Sequence, residues 1–61
     1  MTELERVLME RDCMARKEAK QLILDAYMDI NNYADVDDFM ADWFGLEPDY
    51  IFDVWEIGEK R

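Results

Sequence analysis

The chain reaches Gly45 before it meets its first glycine or proline, and it has only Pro48 and Gly58 after that. Both residues are strong breakers of regular structure, so their absence from so long a stretch favours helix over a series of strands and turns. A 61-residue chain buries only about 60% of the surface that its unfolded form exposes, so residues 1–61 hold at most a single domain. Half of the residues are apolar, enough to build a core despite a net charge of −9, which by itself would favour disorder.

The segment "TELERVL" places Thr2 three residues before Glu5, the spacing of a capping box, and predicts a helix from about residue 3. Leu4, Val7 and Leu8 form its apolar stripe, with Glu3, Arg6 and Glu10 facing water. A second and stronger helical pattern runs through Ala15, Ala19, Leu22, Ile23, Ala26, Tyr27 and Ile30, one face of a 3.6-residue period. A break near Asp12 and Cys13 and a nearly continuous long helix are both compatible with the residues there.

Asn31 and Asn32 signal a turn. Asp35 is then placed to cap a helix whose buried side is Val36, Phe39, Met40, Trp43 and Phe44, with Gly45 as its left-handed end and Leu46 closing over it. Pro48 fits the first turn of a last helix and Gly58 its stop. In that helix Ile51, Val54 and Trp55 share one side while Phe52 points elsewhere. The expected fold is therefore all-α, a compact bundle of three or four short helices with no strands.

Charge divides the chain where the hydrophobic pattern does not. Residues 1–20 carry five acids and five bases, whereas residues 21–59 carry eleven acids and no base, before Lys60 and Arg61. Helical spacing sets Asp25 beside Asp29 and Asp38 beside Asp42, and puts Asp49, Asp53 and Glu56 along one line. Such like-charge neighbours each destabilise an isolated helix by about 0.2–0.5 kcal/mol. A field built at that cost repels nucleic acid and anionic membranes and attracts basic proteins.

Several function classes fall away on composition. There is no histidine and no serine, and Cys13 therefore lacks the usual activating base, so no catalytic residue is assigned. The single cysteine suits a reducing compartment. The start shows no basic segment followed by an apolar core, and no run approaches the roughly 20 apolar residues of a membrane span. An unprocessed cytoplasmic protein is expected. A calcium loop starting at Asp35 would need glycine and glutamate where Met40 and Leu46 stand, so neither metal nor cofactor is expected.

Eight aromatic residues lie between Tyr27 and Trp55, more than so small an interior readily covers, which points to a partner surface. Phe52 is the candidate anchor. Asp38, Asp42, Asp49, Asp53 and Glu56 are the candidate contacts to arginines and lysines of a basic partner.

Residues Ala41 to Arg61, "ADWFGLEPDYIFDVWEIGEKR", resemble the second half of a repressor-type helix-turn-helix, with Gly45-Leu46 at the turn and Ile51, Trp55, Glu56 and Gly58 behind it. The Trp-Glu-x-Gly segment comes one residue later than that family's spacing, and Asp49, Asp53 and Glu56 stand where DNA-facing residues are neutral or basic, so direct DNA binding is disfavoured. Over most of its length the chain is similar to small acidic proteins of phages and prophages of Gram-positive bacteria, through "LMERDCMARKEAKQLI" and "FGLEPDYIFDV". In that group glycine and serine tend to stand at the positions of Cys13 and Ala15.

The functions of that group are mostly uncharacterised, and the resemblance implies a fold and an origin. A phage origin in turn raises the expectation of a host-cell cytoplasmic protein that disables a defence nuclease or another nucleic-acid-handling complex, of the anti-CRISPR or anti-defence type. The expectation is thus a non-enzymatic inhibitor of a basic host protein, acting through an acidic face as a nucleic-acid mimic would. The alternative is a structural or regulatory homodimer in which the aromatic residues bury against a second copy and the acidic face only stays wet.

Overall fold

Thr2 and Glu5 start the first helix as their spacing requires. The Thr2 hydroxyl accepts the Glu5 N–H at 3.2 Å, and Glu5 Oε1 accepts the Thr2 N–H at 2.9 Å, so two otherwise orphaned donors are satisfied reciprocally. In the computed structural model, which describes residues 1–60, this helix, α1, spans Glu3–Arg11. It is followed by α2 (Arg16–Asp29), α3 (Val36–Phe44) and α4 (Ile51–Lys60). Short 3₁₀ turns at Ile30–Asn32 and Pro48–Tyr50 lead out of α2 and into α4. The described residues contain no strand, and the fold is a small all-α bundle with a radius of gyration of 10.5 Å.

The open question between α1 and α2 resolves as a break. Cys13 takes a left-handed backbone (φ 56°), a conformation that costs a side-chain-bearing residue energy and that glycine adopts freely. Two residues on, Ala15 occupies the N-cap of α2 with no side-chain hydrogen bond. Glu18 accepts the Ala15 N–H at 3.0 Å, but alanine has no oxygen to return the favour. Half a capping box remains, at a position that serine would complete.

Leu4 and Leu8 from α1, Ala19, Ile23 and Ala26 from α2, Phe39, Met40 and Phe44 from α3, and Ile51, Val54 and Ile57 from α4 make one core. Phe39 is fully buried, its ring edge-on to Tyr33 at 5.5 Å and to Phe44 at 6.2 Å. Contact between α2 and α4 is the most extensive in the bundle, and α1 packs on both. Gly45 ends α3 in the left-handed conformation (φ 65°), its N–H donating to the Ala41 carbonyl at 3.0 Å. From α1, Arg11 donates to the Phe44 carbonyl at 2.6 Å and the Gly45 carbonyl at 3.4 Å, supplying both hydrogen bonds and a positive charge to the negative end of α3.

Four details differ from the sequence expectation. Asp35 stands at the N-cap of α3, but its side chain makes no capping hydrogen bond. Val36 is exposed, because it sits on the first turn of α3, ahead of the residues that meet the core. Trp55 is exposed, and the buried face of α4 is Ile51, Val54, Ile57 and Gly58. Gly58 does not stop the helix, which continues to Lys60. A Cβ at that position would stand 2.2 Å from Cγ of Tyr27, so glycine is there to let α4 lie against the ring of α2. Arg61, one of the two cations expected at the tail, lies outside the described residues.

Candidate functional site: the acidic surface

The two charge regions differ in how their charges are used. Arg6 pairs with Glu3 and with Glu10, Arg11 with Asp12, and Arg16 with Glu5. Among the described residues, none of the eleven carboxylates between 21 and 59 lies within ion-pair distance of a cation. Nine of them are exposed, with Asp29 and Asp53 half-buried.

Asp38 and Asp42 are both exposed on α3, one helical turn apart. They share their surroundings with a group that sequence reasoning left out. Tyr33, half-buried between α2 and α3, has its phenol pushed above the ordinary value by loss of water contact, then by the nearby charge of Asp42 and the charges of Asp29 and Asp38. Three carboxylates from two helices thus bear on one hydroxyl. Asp29 is fixed there by Trp43, whose indole Nε1 donates to Asp29 Oδ2 at 3.1 Å, and by the side-chain amide of Asn32. These bonds offset the poor placement of an anion at the carboxyl end of α2. The link from Trp43 to Asp29 joins separate helices, and no local periodicity announces it.

The expected line of Asp49, Asp53 and Glu56 separates into three environments. Asp49 is exposed on the 3₁₀ turn after Pro48. Asp53 is half-buried, and its Oδ2 accepts the Leu4 N–H at 3.0 Å, at the positive end of α1 where a carboxylate is favoured. That oxygen has a structural task. Glu56 is exposed and lies at the edge of a groove whose other charged residues are Glu5, Arg16, Lys20 and Lys60.

Phe52 is 69% exposed, the most exposed of the large apolar side chains. Its ring stands edge-on to Trp55, itself 40% exposed, with centroids 5.5 Å apart. The pair forms a small aromatic step on the outer face of α4, a shape suited to a large apolar contact. Cys13 is exposed at the turn between α1 and α2.

Among the described residues no group of three or more cysteine or acidic side chains is placed to hold a metal ion, and no helix is long and apolar enough to cross a membrane. Ordered carboxylates with no internal partner can accept charge-assisted hydrogen bonds from arginine and lysine, which are shorter and stronger than neutral ones. No protein-family model matches the chain, and neither the curated proteins nor the solved structures give a match to it.

Proposed function

We propose that this protein is a non-enzymatic inhibitor of the kind phages encode, which binds a basic, nucleic-acid-handling host protein through Asp38, Asp42 and Asp49, with Phe52 as the apolar anchor. The observation that carries this reading is the absence of any ion pair among the described carboxylates of residues 21–59, beside a first region in which the arginines are all paired. Solubility requires net charge but not a helical surface cleared of cations. A row of carboxylates offered to a cationic channel competes with phosphate for the same arginines and lysines and speeds encounter. A host defence nuclease or a related complex of the anti-defence type is the target class that such chemistry fits.

Tyr33 and Asp29 join the contact surface by position, since they share one electrostatic environment with Asp38 and Asp42. Asp53 leaves it, because its carboxylate serves α1. Glu56 remains at its margin.

The test is recovery of partners from host lysate on immobilised protein at low and at high salt, followed by affinity measurement on the purified partner. A basic partner should be held at low salt and released as the Debye length contracts from about 10 Å at 0.1 M to about 3 Å at 1 M. Phe52→Ala should weaken it by about 2 kcal/mol or more, the worth of a central aromatic contact. Failure to recover any basic partner at either salt concentration would overturn the proposal.

Exposure of Phe52 and Trp55 together also favours a second reading, a homodimer that covers the aromatic step with its own copy. Mass in solution separates the two. A stable dimer whose Phe52→Ala variant becomes monomeric, and whose Asp38 and Asp42 variants keep full activity, would establish the homodimer instead.

A further inference from the structure

Half of the lysines and arginines among the described residues meet at one place. Arg16 and Lys20 from α2 and Lys60 from α4 gather around one open groove of about 200 Å³, together with Thr2, Glu5 and Glu56. Lys20 and Lys60 make no ion pair among the described residues. On the groove's inner side lies Glu5, a carboxylate only 3% exposed. Its Oε1 is consumed by the capping box with Thr2. Its Oε2 is buried with no hydrogen-bond partner.

A buried oxygen without a donor is costly, by about 1–3 kcal/mol and more for a charged group, and native structures seldom leave one so. Arg16 comes nearest, but its Nε stands 3.6 Å away on a side chain that is 60% exposed. That distance gives charge attraction without a hydrogen bond. Burial pushes the Glu5 carboxyl up, yet the hydrogen bonds from Thr2, the Arg16 charge and the amino terminus of Met1, which also lines the groove, outweigh it, and the net shift is downward. Glu5 therefore stays an anion that needs a donor, beside two lysines that need an anion.

We propose that the groove is a binding site for a small zwitterion, a molecule with an ammonium group a few bonds from a phosphate or carboxylate. The ammonium takes the place of Arg16 at Glu5 Oε2 and supplies the missing hydrogen bond. The displaced guanidinium, on its long exposed side chain, turns to join Lys20 and Lys60 on the anionic group. A groove of this size is smaller than the roughly 300–1,000 Å³ of a drug-sized site, so the ligand is a metabolite of a few heavy atoms and not a peptide helix. Phe52, Asp38 and Asp42 are not among the groove's lining residues, and the site stands or falls independently of the inhibitor reading.

Titration of the isotopically labelled protein with O-phosphoethanolamine, β-alanine, inorganic phosphate and ethanolamine, followed by amide shifts, tests it. Saturable shifts at Thr2, Glu5, Lys20 and Ile57 are expected with a zwitterion. At least one of the two zwitterions should bind about tenfold or more tightly than phosphate or ethanolamine alone, the value of one hydrogen bond to a charged group. The phosphate and carboxylate probes show which anion the lysines prefer. Lys20→Gln with Lys60→Gln, both at exposed positions, should abolish binding with the fold intact. Glu5→Gln should erase the advantage of the zwitterion while phosphate still binds. Absence of saturable shifts with every probe, or zwitterions no tighter than phosphate, would overturn the proposal.

Discussion

The first twenty residues and the next thirty-nine are equally helical, yet they treat charge in opposite ways. In the first, each arginine finds a carboxylate, and Arg11 reaches across to close the end of α3. In the second, carboxylates meet only neutral partners: Asp29 the Trp43 indole, Asp53 the Leu4 amide. Charge in the first region is paired, mostly within α1, with Arg16 and Arg11 carrying it across to other elements. Charge in the second is mostly left outside, and what binds that region into the fold is its apolar core, with Phe39 fully buried in it.

Loss of the buried ring from that core breaks the comparison most severely. Phe39→Ala takes out a fully buried ring with two edge-on neighbours and should cost about 3–5 kcal/mol. A domain this small has about that much stability in all. Loss of cooperative thermal unfolding by circular dichroism is the expected outcome, whereas charge neutralisation at Asp38 should leave the melt intact.

Gly58→Ala tests whether α2 and α4, within the second region, meet as tightly as Tyr27 implies. Alanine gains about 1 kcal/mol in helix propensity, but its Cβ would fall on the Tyr27 ring, and overpacking costs about 1–3 kcal/mol. A lower melting temperature is expected despite the better helix former. A rise would mean that the ring moves aside freely.

Sharpening comes from the first region. Ala15→Ser should add about 1 kcal/mol by completing the half-made capping box, and Cys13→Gly should add up to about 1 kcal/mol by relieving its left-handed backbone. Chemical denaturation measures both. If neither variant is more stable, the turn between α1 and α2 is not held as described.

Acid and base should loosen the two regions at opposite ends of the pH scale, as the smallest of these effects. Glu5 has a lowered pKa, so its contribution is present above the ordinary value of 4.5 and is lost as pH falls through the folded value below it. Tyr33 has a raised pKa, so its contribution is complete below the ordinary value of 10.0 and is lost as pH rises through the folded value above it. Asp42→Asn should bring the Tyr33 phenol back toward the ordinary value in an ultraviolet titration. Added salt should do the same in the unmodified protein.

Helices were legible in the sequence because their signals are local. The Thr2 and Glu5 spacing, the period through Ala19, Ile23 and Ala26, and Gly45 after Phe44 each act within a few residues of chain. What could not be seen is what joins residues far apart. Asp53 looks like one member of an acidic row, and its bond to Leu4 exists only because α1 begins beside α4. Gly58 looks like a stop, and only the packing of α2 on α4 reveals the need for a missing side chain. Glu5 is legible as half of a capping box, while the burial of its second oxygen depends on groups brought in from α2 and α4. For the candidate site, exposure of Asp38, Asp42, Asp49 and Phe52 followed from periodicity, and the gathering of Asp29 and Tyr33 around Asp42 did not.

Affinity for the proposed basic partner, compared between two charge-neutralised variants, tests the central claim most directly. One variant carries Asp38→Asn, Asp42→Asn and Asp49→Asn, and the other carries Glu3→Gln and Glu10→Gln in the paired region. The expected result is a large loss of binding, with a shallower salt dependence, for the first variant only. Equal affinity for both variants and the unmodified protein would contradict the claim that the unpaired carboxylates are the recognition surface.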